Sequence, residues 1–537
     1  PSALNITLDE AISLSKPLKE MYQSDPTLKH LIDVAKALEG MPRHASTHAA
    51  GVVITEKPVY EYVPLSTNDG NPVCQYQMTT LEELGLLKMD FLGLRNLTVL
   101  DDAVRLVQKT VPDFRIEDAP EDDKATYEML AAGRTSGVFQ LESTGMTGVC
   151  VGLKPKSIED ITALIALYRP GPMDSIPRFL ECSVHPEKVS YKHELLRPIL
   201  SVTYGCIVYQ EQVIEIFRRL AGFSLGQADM IRRAMSKKKH KVIDAERVAF
   251  IHGDPSRGIA GAIANGVPES VANSIYDEIL DFASYAFNKA HAVSYAIVAY
   301  RTAYMKRHYP QQYMAALLTS VLESSTKVAE YIAECRELGI KLLPPDVNES
   351  DANFTVAEEN IRFGLVAIKG IGWGAIEELV AERHENGLFT SFEDFCKRMS
   401  GKELNRRAVE NLIRAGAFDG MGYKRKALLQ IAGAVIDSIS QAARDNIAGQ
   451  YDLFGDFEAQ SEASPQTIPI PDVEEFSARD KMMMEKEVTG LYLTGHPMDE
   501  YRDAVRKVGA VPIGAILGDF AADDGPQRFA DNQYVTV

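Results

Sequence analysis

Residues 86–94 read Leu86-Leu87-Lys88-Met89-Asp90-Phe91-Leu92-Gly93-Leu94, an apolar run interrupted by one cation and one anion. Two residues apart on a β-strand means the same face. Lys88 and Asp90 therefore point together out of a segment that otherwise favours burial. A buried carboxylate must meet a cation, a metal or water. Two readings stand open here. One is an Asp–Lys ion pair at a strand end. The other is a carboxylate that holds Mg²⁺ beside a lysine facing the phosphates the metal carries.

The chain around this stretch has 537 residues, too many for one core, so several domains are expected. A hydrophobic content of 45% with 25% charged residues is that of an ordinary soluble globular protein. No apolar run reaches the length of a membrane span, and no secretory signal pattern opens the sequence, so no membrane partner is expected. The first residue is Pro1 rather than Met, as expected of a piece of a longer chain. Cys74, Cys150, Cys182, Cys206, Cys335 and Cys396 are scattered, with no metal-ligand spacing, which fits a reducing cytoplasm. The net charge of −18 argues against nucleic acid as a partner when taken alone. The charges are segregated, however. Arg232 to Lys241 holds six cations and no acid, and Gln450 to Ala478 holds seven acids and no cation.

Upstream of the opening stretch, residues 1–40 carry apolar residues at helical intervals and stop at Gly40-Met41-Pro42. Val52 to Ile54 reads as a buried strand entered through Gly51. His44 and His48 are four apart without the intervening Glu of a zinc protease, and a hydrogen-bonded loop is favoured for them. Downstream, Leu97, Leu100, Val104 and Val107 mark a helix. Residues 137–146 read as a strand-like run turning into a polar loop. The helix begun at Ser157 is stopped by Arg169-Pro170-Gly171-Pro172, which leaves Arg169 at a helix C-terminus.

Arg232 and Arg233 precede Lys237, Lys238, Lys239 and Lys241. Six such cations repel one another unless an anion is near, and a polyphosphate or phosphodiester ligand is favoured over a solvated face. A long helical stretch follows around Phe287-Asn288-Lys289-Ala290-His291. Its Tyr295, Tyr300, Tyr304 and Tyr309 alternate with cations. That pattern suits nucleic-acid packing or a core flanked by snorkelling cations, and the core is favoured. Ile368-Lys369-Gly370-Ile371-Gly372 joins two short helices, read at 363–368 and 375–382. Its glycines expose N–H groups at a helix N-terminus, a ready phosphate site. This resembles the helix-hairpin-helix motif, which grips DNA backbone without reading bases. A second, degenerate copy lies at 404–419, with Arg406, Arg407 and Arg414. Gln450-Tyr451-Asp452-Leu453-Phe454 opens an acidic segment read as a mobile linker. Its Leu-Phe pair suits either a partner's pocket or a local contact. Residues 510–537 read as β-strands with an Asp-Asp-Gly turn.

Taken together, LLKMDFLGL, GVFQLESTGM, LYRPGPMD, YQEQV, RRAMSKKK, FNKAHAVSYA, AYRTAYMKRHYP, the hairpin repeats, QYDLF and LTGHP resemble the C-family of bacterial replicative DNA polymerases, the DNA polymerase III alpha subunits. They come in the family's order over nearly the whole chain. The resemblance implies a multidomain, mainly α fold with an α+β palm portion, helical fingers, a tandem helix-hairpin-helix domain and the start of a β OB-fold. It implies the end of a thumb over 1–42, the second part of a palm over 43–95 and fingers over 96–345. A clamp-binding domain follows over 346–455, a linker and connector over 456–505, and an incomplete OB-fold over 506–537. The activity implied is nucleotidyl transfer from a dNTP to a primer 3′-hydroxyl by two Mg²⁺ ions. Asp90 would be a metal-holding palm aspartate and Lys88 a triphosphate contact. Arg232, Arg233, Lys237, Lys238, Lys239, Asn288, Lys289, His291 and Arg169 would bind the nucleotide. Lys369, Gly370, Gly372, Arg406 and Arg407 would hold duplex DNA, and Gln450, Leu453 and Phe454 the sliding clamp (beta subunit). Primer-template DNA, dNTPs and other replicative holoenzyme subunits are the implied partners, in the bacterial cytoplasm at the nucleoid.

One departure from the family matters. Its other two palm aspartates lie in a P-D-x-D-x-D-F motif, and this chain has no Asp-x-Asp anywhere. By family order that motif, and an N-terminal phosphoesterase-like domain, would precede Pro1. One carboxylate cannot clamp two Mg²⁺ ions about 4 Å apart, so the chain alone is expected not to polymerise. The competing reading is a non-catalytic module that binds duplex DNA and tethers to a clamp. A helix-hairpin-helix repair protein leaves RRAMSKKK and LYRPGPMD unexplained.

Overall fold

The computed structural model describes residues 6–41, 46–68, 70–169, 172–236, 240–283, 286–402, 404–449, 468–520, 528–530 and 533–537; within these, side chains at 236, 240–242, 283 and 442–449 are not described. Helices dominate. Three cover the N-terminal stretch, Leu8–Leu14, Lys16–Ser24 and Pro26–Leu38, with the side chains of Thr7, Ser15 and Asp25 as N-caps. Seven short strands follow among the described residues. β1 (Gly51–Ile54), β2 (Leu65–Asn68), β3 (Asn71–Cys74) and β4 (Leu87–Asp90) lie in the first part. β5 (Leu342–Leu343), β6 (Thr355–Ala357) and β7 (Asn360–Arg362) lie later. β1 pairs antiparallel with β4, β2 with β3, and β7 lies between β5 and β6. No helix among the described residues is long and apolar enough to cross a membrane.

Three apolar cores hold the chain together. The largest joins helix Arg95–Gln108 to helices Pro310–Ser320 and Ser325–Glu337, the three-stranded sheet, and buried apolar residues between Phe389 and Ile439, closing with Val488 and Leu491. A second lies within 196–286. A third packs helices Lys124–Ala131, Thr144–Leu153 and Ile158–Leu167 on helix Lys289–His308. The largest core runs across residue 345, where the sequence suggested a boundary. The tyrosine-and-cation helix is core, as its spacing favoured. Tyr300 is buried, and Lys306 is buried with its ammonium on Glu334 at 2.7 Å and on the carbonyls of Arg134 and Ser136.

Five local expectations change. Val52 to Ile54 lies in a strand, but Val52 and Ile54 are exposed rather than buried. The apolar stretch at 86–94 is a strand only over Leu87–Asp90, and Leu87, Met89, Phe91 and Leu92 are exposed. Among the described residues no second layer covers these side chains, so strand pairing occurs without their burial. Residues 137–143 form successive turns rather than a strand. The Phe139 N–H donates to Thr302 Oγ1, and Val138 and Leu141 reach the third core directly. The first hairpin helix shrinks to the single 3₁₀ turn Leu365–Ala367. Over 510–537 the described residues hold helix Ile513–Phe520 and no strand. Strand hydrogen bonds need a neighbouring strand, and an apolar segment without one satisfies its backbone internally as helix.

Candidate active site and nucleic-acid interface

The β1–β4 ribbon sets Gly51 opposite Asp90 and Val53 opposite Lys88. Lys88 Nζ donates to Asp90 Oδ1 at 2.5 Å, and that bond holds the Asp90 carboxyl below its ordinary range. His48 Nδ1 accepts the N–H of Ala50 at 3.2 Å and of Gly51 at 2.7 Å. Its 3.8 Å approach to Asp90 Oδ1 is therefore a meeting of two acceptors, not an ion pair. Gly51 leaves the space these groups share. A Cβ there would lie 2.7 Å from Lys88 Cε, 2.9 Å from His48 Nδ1 and 3.0 Å from Asp90 Oδ1. Among the described residues no three His, Cys, Asp or Glu side chains converge as metal ligands. Asp90 is one carboxylate with its charge already met by Lys88. These residues do not fit a two-ion centre by themselves. Of the two readings of 86–94, the described geometry contains the ion pair. His44 lies outside the described residues.

A second group assembles at the start of helix Lys289–His308. Asn288 is its N-cap, accepting the His291 N–H at 2.9 Å. The Arg169 guanidinium stands 4.0 Å over the Phe287 ring, and burial pushes its pKa below the usual value. The Lys289 N–H donates to the Glu211 carboxylate, and its ammonium pairs with Glu159 at 3.1 Å and lies 5.4 Å from the Tyr209 ring centre. The His291 ring packs against Phe287 and Tyr295. The structure thus brings Arg169, Asn288, Lys289 and His291 together around Phe287. Sequence reasoning named these four but missed their supports, Glu159, Tyr209 and Glu211. Two of those lie in YQEQV, whose Gln212 accepts the N–H groups of Val208 and Tyr209 and so fixes the turn.

Arg232 and Arg233 sit on helix Leu225–Ser236, and both pair with Asp229, at 2.9 and 2.8 Å. The Arg232 bond leads in holding the Asp229 carboxyl below its ordinary range. Their hydrogen bonds and ion pairs among the described residues run to Asp229 rather than to the Phe287 group. Lys237, Lys238 and Lys239 lie outside the described residues.

The hairpin region forms a third group. Gly370 has φ +78°, in the left-handed region, and a Cβ on it would meet Asn411 Nδ2 at 3.0 Å. That nitrogen donates to the Lys369 carbonyl at 2.7 Å. Gly372 is the N-cap of helix Trp373–Asn386. Arg406 opens helix Arg406–Ala415, pairs with Glu410 at 3.0 Å and lies flat against Gly433, where any side chain would displace it. Lys369, Arg406, Arg407 and Arg414 line one cleft of about 610 Å³, tempered by Glu410 and Glu487. Behind it lies a device with no local sequence signal. Arg425 and Glu485, sixty residues apart, form a fully buried pair at 3.0 Å. Arg425 also bonds Asp419 and the Arg414 carbonyl. Gln450, Leu453 and Phe454 lie outside the described residues.

Comparison with known proteins gives three family matches. Residues 96–258 match the bacterial DNA polymerase III alpha subunit finger domain, residues 1–93 the bacterial DNA polymerase III alpha NTPase domain, and residues 339–428 a helix-hairpin-helix motif. The DNA polymerase III subunit alpha of Borreliella burgdorferi is 40% identical over 524 residues, covering 97% of this chain and 45% of that protein. The subunit of Thermus aquaticus is 44% identical over 94% of this chain and 41% of its own length. That of Bacillus subtilis is 42% identical over 96% and 45%. The chain thus spans less than half the length of these relatives.

Proposed function

Because this chain belongs to the family of bacterial DNA polymerase III alpha subunits, we propose that it serves template-directed DNA synthesis, the transfer of a nucleotide from a dNTP to a primer 3′-hydroxyl. The observation that carries the proposal is the convergence of Arg169, Asn288, Lys289 and His291 around Phe287. A ring flanked by cations at a helix N-terminus suits a nucleotide, whose base stacks and whose phosphates meet N–H groups and positive charge. In this reading residues 96–345 act as fingers, and Arg232, Arg233 and the lysines at 237–239 face the incoming triphosphate. Four of these cations are held ready by a carboxylate: Lys88 by Asp90, Arg232 and Arg233 by Asp229, Lys289 by Glu159. These pairs are all partly open to solvent, which weakens them, so exchanging a carboxylate for a phosphate costs little. The hairpin cleft holds the duplex backbone through Lys369, Arg406 and Arg407, with Gly370 and Gly372 exposing N–H groups. Gln450, Leu453 and Phe454 tether the chain to the sliding clamp, and other holoenzyme subunits assemble around it in the bacterial cytoplasm.

Two-metal chemistry is the family expectation, with Asp90 as one ligand. The donor set around Asp90 does not make that centre, and no step is derived through it. A specific observation therefore favours a second reading for the chain by itself: Asp90 has no second carboxylate beside it among the described residues. In that reading the chain alone grips DNA and tethers to the clamp without chemistry. Primer extension with Mg²⁺ and dNTPs separates the two. The assay compares this chain with a version carrying a P-D-x-D-x-D-F segment ahead of Pro1, each with and without Asp90→Ala. The expected result is extension by the longer chain only, abolished by Asp90→Ala. Extension by the present chain alone refutes the carboxylate argument.

A further inference from the structure

A cleft of about 660 Å³ separates helix Ser325–Glu337 from the loop that follows helix Ala478–Thr489. Its floor is apolar, with Ile332, Cys335 and Ile340 on one side and Leu491 and Leu493 on the other. Its rim carries Arg336, Lys341, Lys486 and His496, and no Asp or Glu lines it. Acids outnumber Lys and Arg in this chain by 75 to 57. An acid-free cleft in such a chain holds uncompensated charge. Arg336, Lys341 and Lys486 form no ion pair among the described residues, while cations elsewhere are paired repeatedly. Lys486 is stationed 5.2 Å from the Tyr492 ring centre, and His496 packs its ring edge on the same tyrosine. The wall is rigid. Leu493 and Thr494 donate their N–H groups to the buried Glu485 carboxylate at 3.0 Å each, so the loop is held in shape before any ligand arrives.

An apolar floor under an unopposed cationic rim calls for a ligand that is apolar in the middle and anionic at its edges. We propose that this cleft docks an acidic peptide segment of a partner protein, one aliphatic or aromatic side chain entering the floor and flanking carboxylates meeting Arg336, Lys341 and Lys486. A nucleotide is the other amphipathic anion of that size. It is disfavoured because no Asn, Gln, Ser, Thr, Asp or Glu lines the cleft to read a base edge. The proposal uses no residue assigned to nucleotide, DNA or clamp, and so stands or falls independently of them.

The test is fluorescence anisotropy at low salt on the whole chain. The probe is a pool of fluorescein-labelled octapeptides, Glu-Asp-Glu-X-X-Glu-Asp-Glu, with X drawn from Leu, Ile, Val, Phe and Trp. A pool with Ser at X and a fluorescent adenosine triphosphate run beside it. At least one apolar member is expected to bind with Kd at or below about 100 µM, and the Ser pool about tenfold more weakly. Charge reversal by Lys341→Glu with Lys486→Glu should weaken the best member by at least about tenfold, while Lys19→Glu, an exposed cation far along the chain, changes nothing. Circular dichroism confirms that the double variant is folded. Four results overturn the proposal: no apolar member binds at that level, the Ser pool binds equally well, charge reversal leaves binding intact, or the nucleotide binds and is lost on the same charge reversal.

Discussion

Removing the Glu485 carboxylate by Glu485→Ala should loosen the joint that positions the hairpin cleft. Glu485 is 0% exposed and Arg425 1%. Oε2 accepts the N–H groups of Leu493 and Thr494, and Oε1 accepts from Arg425 and the Thr494 hydroxyl, all at 3.0 Å. Breaking a buried ion pair from one side costs about 3–5 kcal/mol, because the surviving charge is left uncompensated. Arg425 keeps Asp419 at 2.7 Å, which limits that loss toward about 3 kcal/mol. Two stranded N–H groups add about 1 kcal/mol each where water cannot reach them. The sum is about 5 kcal/mol, concentrated in helices Arg425–Gly449 and Ala478–Thr489. A chain with several cores does not melt as one unit, so the assay is hydrogen exchange followed by mass spectrometry, segment by segment. Peptides covering 425–435 and 485–495 should lose roughly three to four orders of magnitude in protection, at about 1.4 kcal/mol per decade, and those of the second core almost none. A change below about 1 kcal/mol in those two segments would mean that the pair is replaceable by packing or water, and would refute the reasoning.

Three further outcomes are expected. Lys88→Met removes the bond that lowers the Asp90 pKa. The stability that bond supplies is present above the ordinary carboxylate value and lost as pH falls through the depressed one, so the Asp90 midpoint, read from its ¹³C carboxyl shift, should rise in the variant; an unmoved midpoint contradicts the pairing. Arg232→Ala with Arg233→Ala should weaken dNTP and primed-DNA binding about tenfold or more and flatten the salt dependence of DNA binding, measured by anisotropy across a salt series; an unchanged slope sinks the electrostatic role. Leu453→Ala with Phe454→Ala should weaken clamp binding by about 2 kcal/mol or more in surface plasmon resonance, as for loss of two apolar anchors; unchanged affinity returns QYDLF to a local contact.

Local signals made much of this molecule legible. Ser157 was read as a helix start and caps that helix, because capping chemistry acts within three residues. The hairpin glycine Gly370 was legible for the same reason: a positive φ is a demand one residue meets alone. What escaped was set by partners far along the chain. Arg425 and Glu485 share no period, and Glu159, Glu211 and Lys289 meet only because Tyr209 and Phe287 form a bridge. The stretch at 86–94 shows both limits at once. Its i, i+2 spacing gave the Lys88–Asp90 contact correctly, since alternation fixes which face a side chain takes. It could not give burial, which depends on a second layer, and Leu87 and Met89 lie exposed for want of one. Nor could it decide between ion pair and metal ligand. A carboxylate already neutralised at 2.5 Å has little charge left to draw a dication. Only another carboxylate brought alongside restores that charge, so the role of Asp90 is decided by what folds against the ribbon rather than by the nine residues that contain it.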